Sequence, residues 1–329
     1  MNVDQLTYVV FVLVLIIALV IDLGLMNKKH HVMTIKDALY QSVFWIGLSL
    51  GFFGFLWFTK GDHVATKYLT AYLMEKSLSI DNVFVFVLIF TFFKVDEEDA
   101  ARCLFVGILL AIVFRVIFIA LGIELINKFH WLLYIFGAFL LYTGIKLFFQ
   151  KEEEEFNPAD SAIYKWAKKL FRISPLPPKG RYTIDVNGKI FLTTLSLVVV
   201  MLATTDIVFA LDSIPTVVSL VRDKADQPFT KDDIMVIYSS NIFAVLGLRS
   251  LFFLLRGAVG KFSYLQQGIS IVLAFIGVKM LIEFFGIHIS IYVSLAVIVL
   301  CLVGSILFSQ FETRRQGLKD AEATIKDDE

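Results

Sequence analysis

The chain has 329 residues, of which 58% are hydrophobic and 15% aromatic, and its mean hydropathy is +0.77. A soluble domain is about 45–50% apolar, so this composition indicates a membrane protein. The 30 basic and 30 acidic residues balance, and nothing in the charge suggests a nucleic acid as partner. Two cysteines, Cys103 and Cys301, give neither a disulfide framework nor a thiolate cluster for a soft metal.

Nine segments are apolar over about 20 residues or more, the length that a helix needs to cross a bilayer. They are 6–26, 38–58, 69–93, 101–126, 131–150, 190–221, 235–257, 265–285 and 288–309. The first segment has no positive charge before it, so we interpret it as a retained span and not as a cleaved signal peptide. The predicted fold class is an all-α polytopic membrane protein with nine transmembrane helices.

The loops predict the orientation of these spans, because cytoplasmic loops carry an excess of lysine and arginine. With the N-terminus outside, nineteen loop cations fall inside and six fall outside. We therefore expect a multi-pass protein of the cell (cytoplasmic) membrane with its N-terminus outside and its C-terminus inside. The large loop 151–189 is then cytoplasmic, and its spacing of apolar and basic residues predicts an amphipathic helix on the membrane surface. The charged tail after residue 309 is predicted to be disordered.

Three sequence features recur in the same order in two halves of the chain. Glu75 and Asp81 correspond to Asp206 and Asp212, Arg115 corresponds to Arg249, and Gly144-Ile-Lys146 corresponds to Gly277-Val-Lys279. The offsets are 131, 134 and 133 residues, which indicates a duplication. Each half has three spans, an odd number, so the second half enters the membrane with the opposite polarity. Spans 3–5 and 6–8 thus form a predicted inverted repeat, of the kind that holds its substrate near the midplane.

The predicted organisation follows from this repeat. It comprises two N-terminal spans (1–68), the first transmembrane repeat (69–150), the cytoplasmic loop (151–189), the second transmembrane repeat (190–285), and the last span with its tail (286–329).

The two acidic helices are the candidate functional site, since an ionised Asp at the centre of a span costs about 2.5–3.5 kcal/mol and indicates function. In each helix the two acids are six residues apart, about 120° around an ideal helix and about 9 Å along it. An unbroken helix therefore cannot direct both at one small ion. Pro215 removes the N–H that would bond to the carbonyl of Leu211, which predicts a break beside Asp212.

The donor atoms near these positions are all hard oxygens. Asp81 stands beside Asn82, and Asp212 stands beside Ser213. An oxygen-only set suits Mg²⁺, Ca²⁺ or Mn²⁺, and none of the five histidines belongs to the acidic helices. The sequence therefore predicts a divalent metal ion as the ligand, with no permanently bound cofactor.

Structural ion pairing is the alternative, because charges inside a helix bundle pair with one another. The available cations are Arg115, Arg249, Lys146 and Lys279. We favour the ion site for Asp81 and Asp212, whereas Glu75 and Asp206 fit either role equally. In a third interpretation these cations neutralise the empty site and move away when it is loaded.

Four segments resemble the TerC family of integral membrane proteins, in particular its Alx-like branch. They are EKSLSIDNVFVF (Glu75–Phe86), YIFGAFLLYTGIK (Tyr134–Lys146), TDIVFALDSIP (Thr205–Pro215) and SNIFAVLGLRSLFF (Ser240–Phe253). The resemblance implies inverted three-helix repeats and export of manganese(II) across the cytoplasmic membrane. It also implies that the family's acidic residues correspond to Glu75, Asp81, Asp206 and Asp212, with Asn82 and Ser213 adjacent. Ala203 stands where the family usually has a glutamate, which leaves one carboxylate fewer.

The leading functional hypothesis is a secondary exporter of Mn²⁺ that works by alternating access, with exchange against protons left open. No GxxxxGK[ST] loop is present, which argues against ATP as the driving force. One alternative is a non-transporting accessory protein for tellurium or stress resistance, or for metal supply to secreted enzymes, that docks a partner through loop 151–189. The other is an intramembrane aspartyl protease, but neither Asp81 nor Asp212 lies in a GxGD context. We therefore expect no enzymatic activity.

Overall fold

The structure is a computed structural model of the chain. It describes residues 3–26, 34–129, 131–149, 164–165, 169, 173, 180–186, 188–222, 228–256 and 264–327. Within these ranges, the side chains of residues 22–26, 80–81, 84, 186, 211–212, 265 and 313–327 lie outside the description. Most of the amphipathic helix that we predicted within loop 151–189 also lies outside the described residues.

Helices make up nearly all of the described chain. They are α1 (Val3–Met26), α2 (Ile35–Lys60), α3 (Asp62–Phe92), α4 (Glu97–Lys128), α5 (Leu132–Phe149), α6 (Thr194–Val221), α7 (Lys231–Val245), α8 (Leu248–Arg256), α9 (Leu265–Ile282) and α10 (Ile291–Asp327). Two strands, β1 (Thr183–Val186) and β2 (Lys189–Leu192), form an antiparallel hairpin before α6, with Thr183 paired to Leu192.

The polytopic membrane architecture is confirmed by the length and hydropathy of these helices. Among the described residues, seven helices could each cross a membrane, namely α1, α2, α4, α5, α6, α9 and α10, and the bent pair α7–α8 adds an eighth candidate. Helix α3 is 31 residues long but is not among them, since charged residues such as Lys67, Glu75 and Lys76 interrupt its apolar sequence. The count of nine spans therefore stays a prediction.

The break in the acidic helix was wrongly predicted. Helix α6 continues without interruption from Thr194 to Val221 with Pro215 inside it. The missing N–H of Pro215 costs one hydrogen bond, but α3, α4 and α9 pack against α6 and keep it continuous. The broken span is instead 235–257, where α7 and α8 meet at an angle of 40°.

Gly247 explains the position of this break. Its φ of +82° lies in the left-handed region, which a residue with a side chain rarely adopts. A Cβ at this position would also lie 2.6 Å from Cδ1 of Trp45 in α2. The chain therefore turns here between α7 and α8, directly before Leu248 and Arg249.

The end of the chain also differs from our prediction. Helix α9 ends at Ile282, a single 3-10 turn (Glu283–Phe285) and the left-handed Gly286 follow, and α10 begins at Ile291. Helix α10 then continues to Asp327, so the tail after residue 309 that we predicted to be disordered is helical. Within this segment Glu322 and Lys326 are four residues apart, a spacing that stabilises a helix.

Polar contacts gather several helix ends at one side of the molecule, which we call the Lys60 end. Lys60, the last residue of α2, pairs with Asp4 of α1 and lies 2.8 Å from Asp232 of α7. Tyr292 of α10 donates a hydrogen bond of 3.0 Å to Asp62, the first residue of α3. Helices α1, α3, α7 and α10 therefore all begin at this end.

The opposite side, which we call the Cys103 end, holds the starts of α4 and α6. The Cys103 thiol of α4 donates to the Leu195 carbonyl of α6 over 3.8 Å. Arg256, which ends α8, lies 3.7 Å from Glu97, which begins α4. Since α3 begins at the Lys60 end and α6 at the Cys103 end, these two central helices run in opposite directions.

Helices α5 and α9 cross at backbone contact. A Cβ on Gly144 would lie 2.6 Å from the Ala274 nitrogen, and one on Gly277 would lie 2.5 Å from the Leu141 nitrogen. Gly144 and Gly277 are 133 residues apart, and so are Leu141 and Ala274. The two contacts are therefore the same contact with the helices exchanged.

We predict that Gly144→Ala lowers the midpoint of thermal unfolding in detergent, because the new methyl group meets backbone atoms that cannot move aside. The expected loss is about 1–3 kcal/mol, as for other overpacked cores. Gly51→Ala is the matched control, since Gly51 lies in α2 with no atom within 4 Å of its added Cβ. Equal unfolding temperatures for the two variants would contradict the tight crossing.

Candidate functional site

A layer of buried polar residues divides the hydrophobic core in two. The apolar cluster toward the Lys60 end includes Met74 of α3 and Ile119 of α4. The cluster toward the Cys103 end includes Val83 of α3 and Ile108 of α4. Between them lies a set that we call the Arg115 layer: Glu75 of α3, Arg115 of α4, Asp206 of α6 and Asn241 of α7.

Arg115 is bonded to the other three members of this layer. Its Nε and Nη2 donate to the two carboxylate oxygens of Asp206 over 3.0 and 3.1 Å. Its Nη1 donates to Oε2 of Glu75 over 2.8 Å and to Oδ1 of Asn241 over 2.6 Å. The Asn241 amide closes the ring by donating to Oε1 of Glu75 over 2.9 Å. Each of the four residues is at most 1% exposed.

The Arg115 layer holds a net negative charge when both carboxylates are ionised. The guanidinium of Arg115 stays protonated in proteins, so it balances only one of the two acids. Buried charges are tolerated when they are paired and hydrogen-bonded, and the side-on geometry toward Asp206 is the strong form of such a pair. The excess charge of these four residues favours a further cation or proton nearby, and Lys76, the neighbour of Glu75, supplies one positive charge, with its Nζ 3.3 Å from the Ala244 carbonyl of α7.

A small cavity adjoins the layer on the side of the Cys103 end. Its volume is about 10 Å³, enough for one water molecule. Among the described residues that line it, Asp206 is the polar one, and the others are apolar residues of α3, α4, α6 and α8. The carboxylate of Asp206 therefore faces Arg115 and also borders this cavity.

The two predicted central ligands have only their backbones described. Asp81 lies within the continuous helix α3 and Asp212 within the continuous helix α6, and their side chains lie outside the described residues. Their neighbours Asn82 and Ser213 are buried, at 3% and 2% exposure. Among the side chains that the structure describes, no three His, Cys, Asp or Glu residues form a cluster that could hold a metal ion.

The four predicted counter-charges differ in their positions. Arg115 occupies the centre of the layer, while Arg249 is buried at the start of α8, beyond the bend at Gly247. Lys279 of α9 is buried and donates to the Ser219 carbonyl of α6 over 3.4 Å. Lys146 lies on the exposed face of α5 and is not part of the buried network. The ion-pair alternative thus describes Glu75 and Asp206 in this structure.

Asn241 is the member of the layer that the sequence reasoning missed as a site residue. Three consecutive polar residues, Ser239, Ser240 and Asn241, interrupt an apolar span, and all three are fully buried. That interruption was a usable signal, because a buried amide without a partner is costly. Asn241 is instead satisfied by donating to Glu75 and accepting from Arg115.

The long apolar helices and the acidic layer on two antiparallel central helices define this chain as a polytopic integral membrane protein. The chain matches the Integral membrane protein TerC family over residues 60–317 and belongs to that family.

The chain aligns with its relatives over most of the length of both proteins. The chain is 41% identical to an uncharacterized membrane protein (STKORF319) of Myxococcus xanthus over 95% of this chain and 94% of the relative. It is 40% identical to a Salmonella typhi protein named "Putative membrane-bound redox modulator Alx", over 88% of each chain. The Escherichia coli K12 protein of the same name is 39% identical over 93% of this chain and 94% of the relative. No solved structure matches the chain.

We predict that Arg115→Met strongly destabilises the protein, because two carboxylates are left buried without their partner. Removing one member of a buried ion pair costs about 3–5 kcal/mol. The matched control is Arg102→Met, since Arg102 is exposed on the same helix and pairs with Glu98, at a cost of at most about 1 kcal/mol. Thermal unfolding in detergent measures both variants, and an Arg115→Met protein as stable as the control would contradict the layer's role.

Proposed function

We propose that the protein is a secondary transporter that exports a divalent metal ion, Mn²⁺ above all, across the cytoplasmic membrane. The observation that carries the proposal is the Arg115 layer. It is an oxygen-rich layer in the middle of a membrane bundle, and its two carboxylates lie on the helices that also bear Asp81 and Asp212. Such intramembrane carboxylates are expensive and mark ion pathways.

Alternating access between inverted repeats is the proposed mechanism. It is supported by the opposite directions of α3 and α6 and by the exchanged contacts of Gly144 and Gly277 across the α5–α9 crossing. It is further supported by packing, since α4 contacts α6 just as α7 contacts α3. In this proposal α3–α5 and α6–α9 are the repeats, the molecule has nine spans, and the ion binds where the repeats meet.

The proposed cargo ligands are the oxygen donors of both acidic helices. They are Asp81, Asp212, Glu75, Asp206, Asn82 and Ser213. Carboxylate, amide and hydroxyl oxygens suit Mn²⁺ and related hard ions. Arg115 acts as the counter-charge of Glu75 and Asp206, and a proton can replace the metal ion on the excess carboxylate, which would couple export to proton entry.

The orientation is part of the same proposal. The excess of loop cations places the N-terminus outside, so the Lys60 end faces outward and the Cys103 end faces the cytoplasm. The hairpin β1–β2 and loop 151–189 then lie on the cytoplasmic side. Substrate enters at the Cys103 end and leaves at the Lys60 end.

A redox role, which the names of two relatives state for those proteins, is not favoured by the cysteines of this chain. Cys103 and Cys301 are both free, and Cys103 is buried with its thiol directed at a backbone carbonyl. We therefore give the transport proposal precedence over the accessory roles.

We predict that Asp81→Asn and Asp212→Asn each abolish Mn²⁺ transport in proteoliposomes, because the amide cannot supply the negative charge that a dehydrated divalent ion needs. Inserted and folded protein should be retained at wild-type amounts. Glu98→Gln is the control, since Glu98 is an exposed acid at the start of α4. The assay should use a panel of Mn²⁺, Mg²⁺, Ca²⁺ and Fe²⁺ with and without a pH gradient. Wild-type Mn²⁺ flux in both Asp variants would refute the site.

The Lys60 end supplies a test of alternating access. Lys67 of α3 and Asp233 of α7 form a buried ion pair of 2.8 Å, which joins the two proposed repeats. A repeat that rocks outward has to separate them. We predict that Lys67→Cys with Asp233→Cys, joined by a short bifunctional thiol reagent, stops Mn²⁺ flux and that a reductant which cleaves the reagent restores it. The same reagent on either single variant is the control, and undiminished flux in the joined protein would contradict the movement.

A further inference from the structure

Three hydroxyl groups on the central helices bond to their own backbone. Thr70 and Ser77 of α3 donate to the carbonyls of Thr66 and Leu73, over 2.7 and 2.6 Å. Thr204 of α6 donates to the Val200 carbonyl over 2.6 Å. This return to the carbonyl four residues earlier satisfies a hydroxyl inside a membrane helix without any outside partner.

Ser79 of α3 and Ser213 of α6 are exceptions, as is Ser219 near the end of α6. Ser79 is 0% exposed and Ser213 is 2% exposed, yet neither hydroxyl oxygen has a hydrogen-bond partner among the described residues. Such a buried group costs free energy and calls for a partner beyond the described side chains. Ser77 and Ser79 stand two residues apart on one helix, so the difference in hydrogen bonding between their hydroxyls depends on the face of α3 on which each lies.

Helix geometry places these two serines on the faces that carry the Arg115 layer. Ser79 follows Glu75 by four residues, which is one turn along the same face of α3. Ser213 follows Asp206 by seven residues, which is two turns along the same face of α6. Because α3 and α6 run in opposite directions, Ser79 lies on the Cys103 side of the layer and Ser213 on the Lys60 side.

Each serine also stands close to a proposed ligand. Ser79 precedes Asp81 by two residues, and Ser213, itself one of the proposed ligands, directly follows Asp212. The two serines are not equivalent positions of the proposed repeat, because the offset of 131 residues between the acidic helices places Asn82 opposite Ser213.

We propose that Ser79 and Ser213 are two cargo-binding positions, one on each side of the Arg115 layer. The divalent cation passes both positions with part of its water shell still bound. Their hydroxyl oxygens accept hydrogen bonds from the waters that the ion carries. A hydroxyl has two acceptor lone pairs, whereas the neighbouring Arg115 only donates and cannot receive these water protons. The inference rests on the proposed function, because it requires that an ion crosses this layer.

The first test compares Mn²⁺ flux in proteoliposomes for Ser79→Ala, Ser213→Ala and the control Ser77→Ala. We expect the first two to lower the flux about ten- to hundredfold, the usual effect of losing a partner of a metal ion's bound shell. Ser77→Ala should match the wild type, because its hydroxyl serves only its own backbone. Equal flux in all three variants overturns the inference while leaving the transport proposal intact.

The second test does not depend on flux or on the stability of the alanine variants. The background protein carries Cys103→Ala and Cys301→Ala. Three variants of it, Ser79→Cys, Ser213→Cys and Ser77→Cys, are each treated with a cationic methanethiosulfonate reagent. We expect the cysteines at positions 79 and 213 to react with the reagent, and we expect Mn²⁺ to slow these reactions several-fold. The cysteine at position 77 should not react. Absence of reaction at 79 and 213, or reaction that Mn²⁺ does not slow, overturns the inference. A wild-type protein that moves no ion in the first test refutes the transport proposal instead.

Discussion

The bonding of Arg115 to carboxylates from α3 and α6 is the constraint on which the rest of the structure depends. One guanidinium holds Glu75, Asp206 and Asn241 at once, and so fixes the relative heights of four helices in the middle of the bundle. In a membrane, polar bonds of this kind replace the hydrophobic force that would otherwise order a core. The two apolar clusters above and below the layer enclose it, apart from the small cavity beside Asp206. The layer therefore sets both the register of the bundle and the charge of its centre.

The two proposed repeats fold differently at one residue, and this difference explains why Arg115 and Arg249 take different positions in the bundle. Arg249 corresponds to Arg115, and Gly247 corresponds to Val113. Gly247 adopts a positive φ and ends α7, while valine is β-branched and avoids that region, so α4 continues straight through Val113. Arg115 therefore projects from an unbroken helix, and Arg249 from the first turn of a new one. A single glycine converts a sequence repeat into a structural asymmetry.

The sequence predicted features that depend on composition and spacing, and missed those that depend on packing. The recurrence of Glu75 and Asp206 identified the acidic helices, and the charge of Arg115 identified it as a counter-charge. The break predicted at Pro215 was wrong, because a local rule about one missing N–H ignores the helices that pack around α6. The break at Gly247 depends on its approach to Trp45, a residue 202 positions earlier, which no local pattern encodes. The link from Asn241 to Glu75 crosses between repeats and is hidden for the same reason.

The contacts between the proposed repeats differ in the free energy needed to separate them. This difference decides which contact opens first in the proposed mechanism. At the α5–α9 crossing, backbone meets backbone at Gly144 and Gly277, so neither helix can slide past the other without a clash. At the Arg115 layer, movement would strip a guanidinium of partners in the driest part of the bundle. At the Lys60 end, separation of Lys67 from Asp233 admits water to both charges as they part, and their hydration offsets the lost attraction. In the proposed mechanism, an outward opening would therefore hinge at the glycine crossing and part the Lys67–Asp233 pair before it disturbed Arg115.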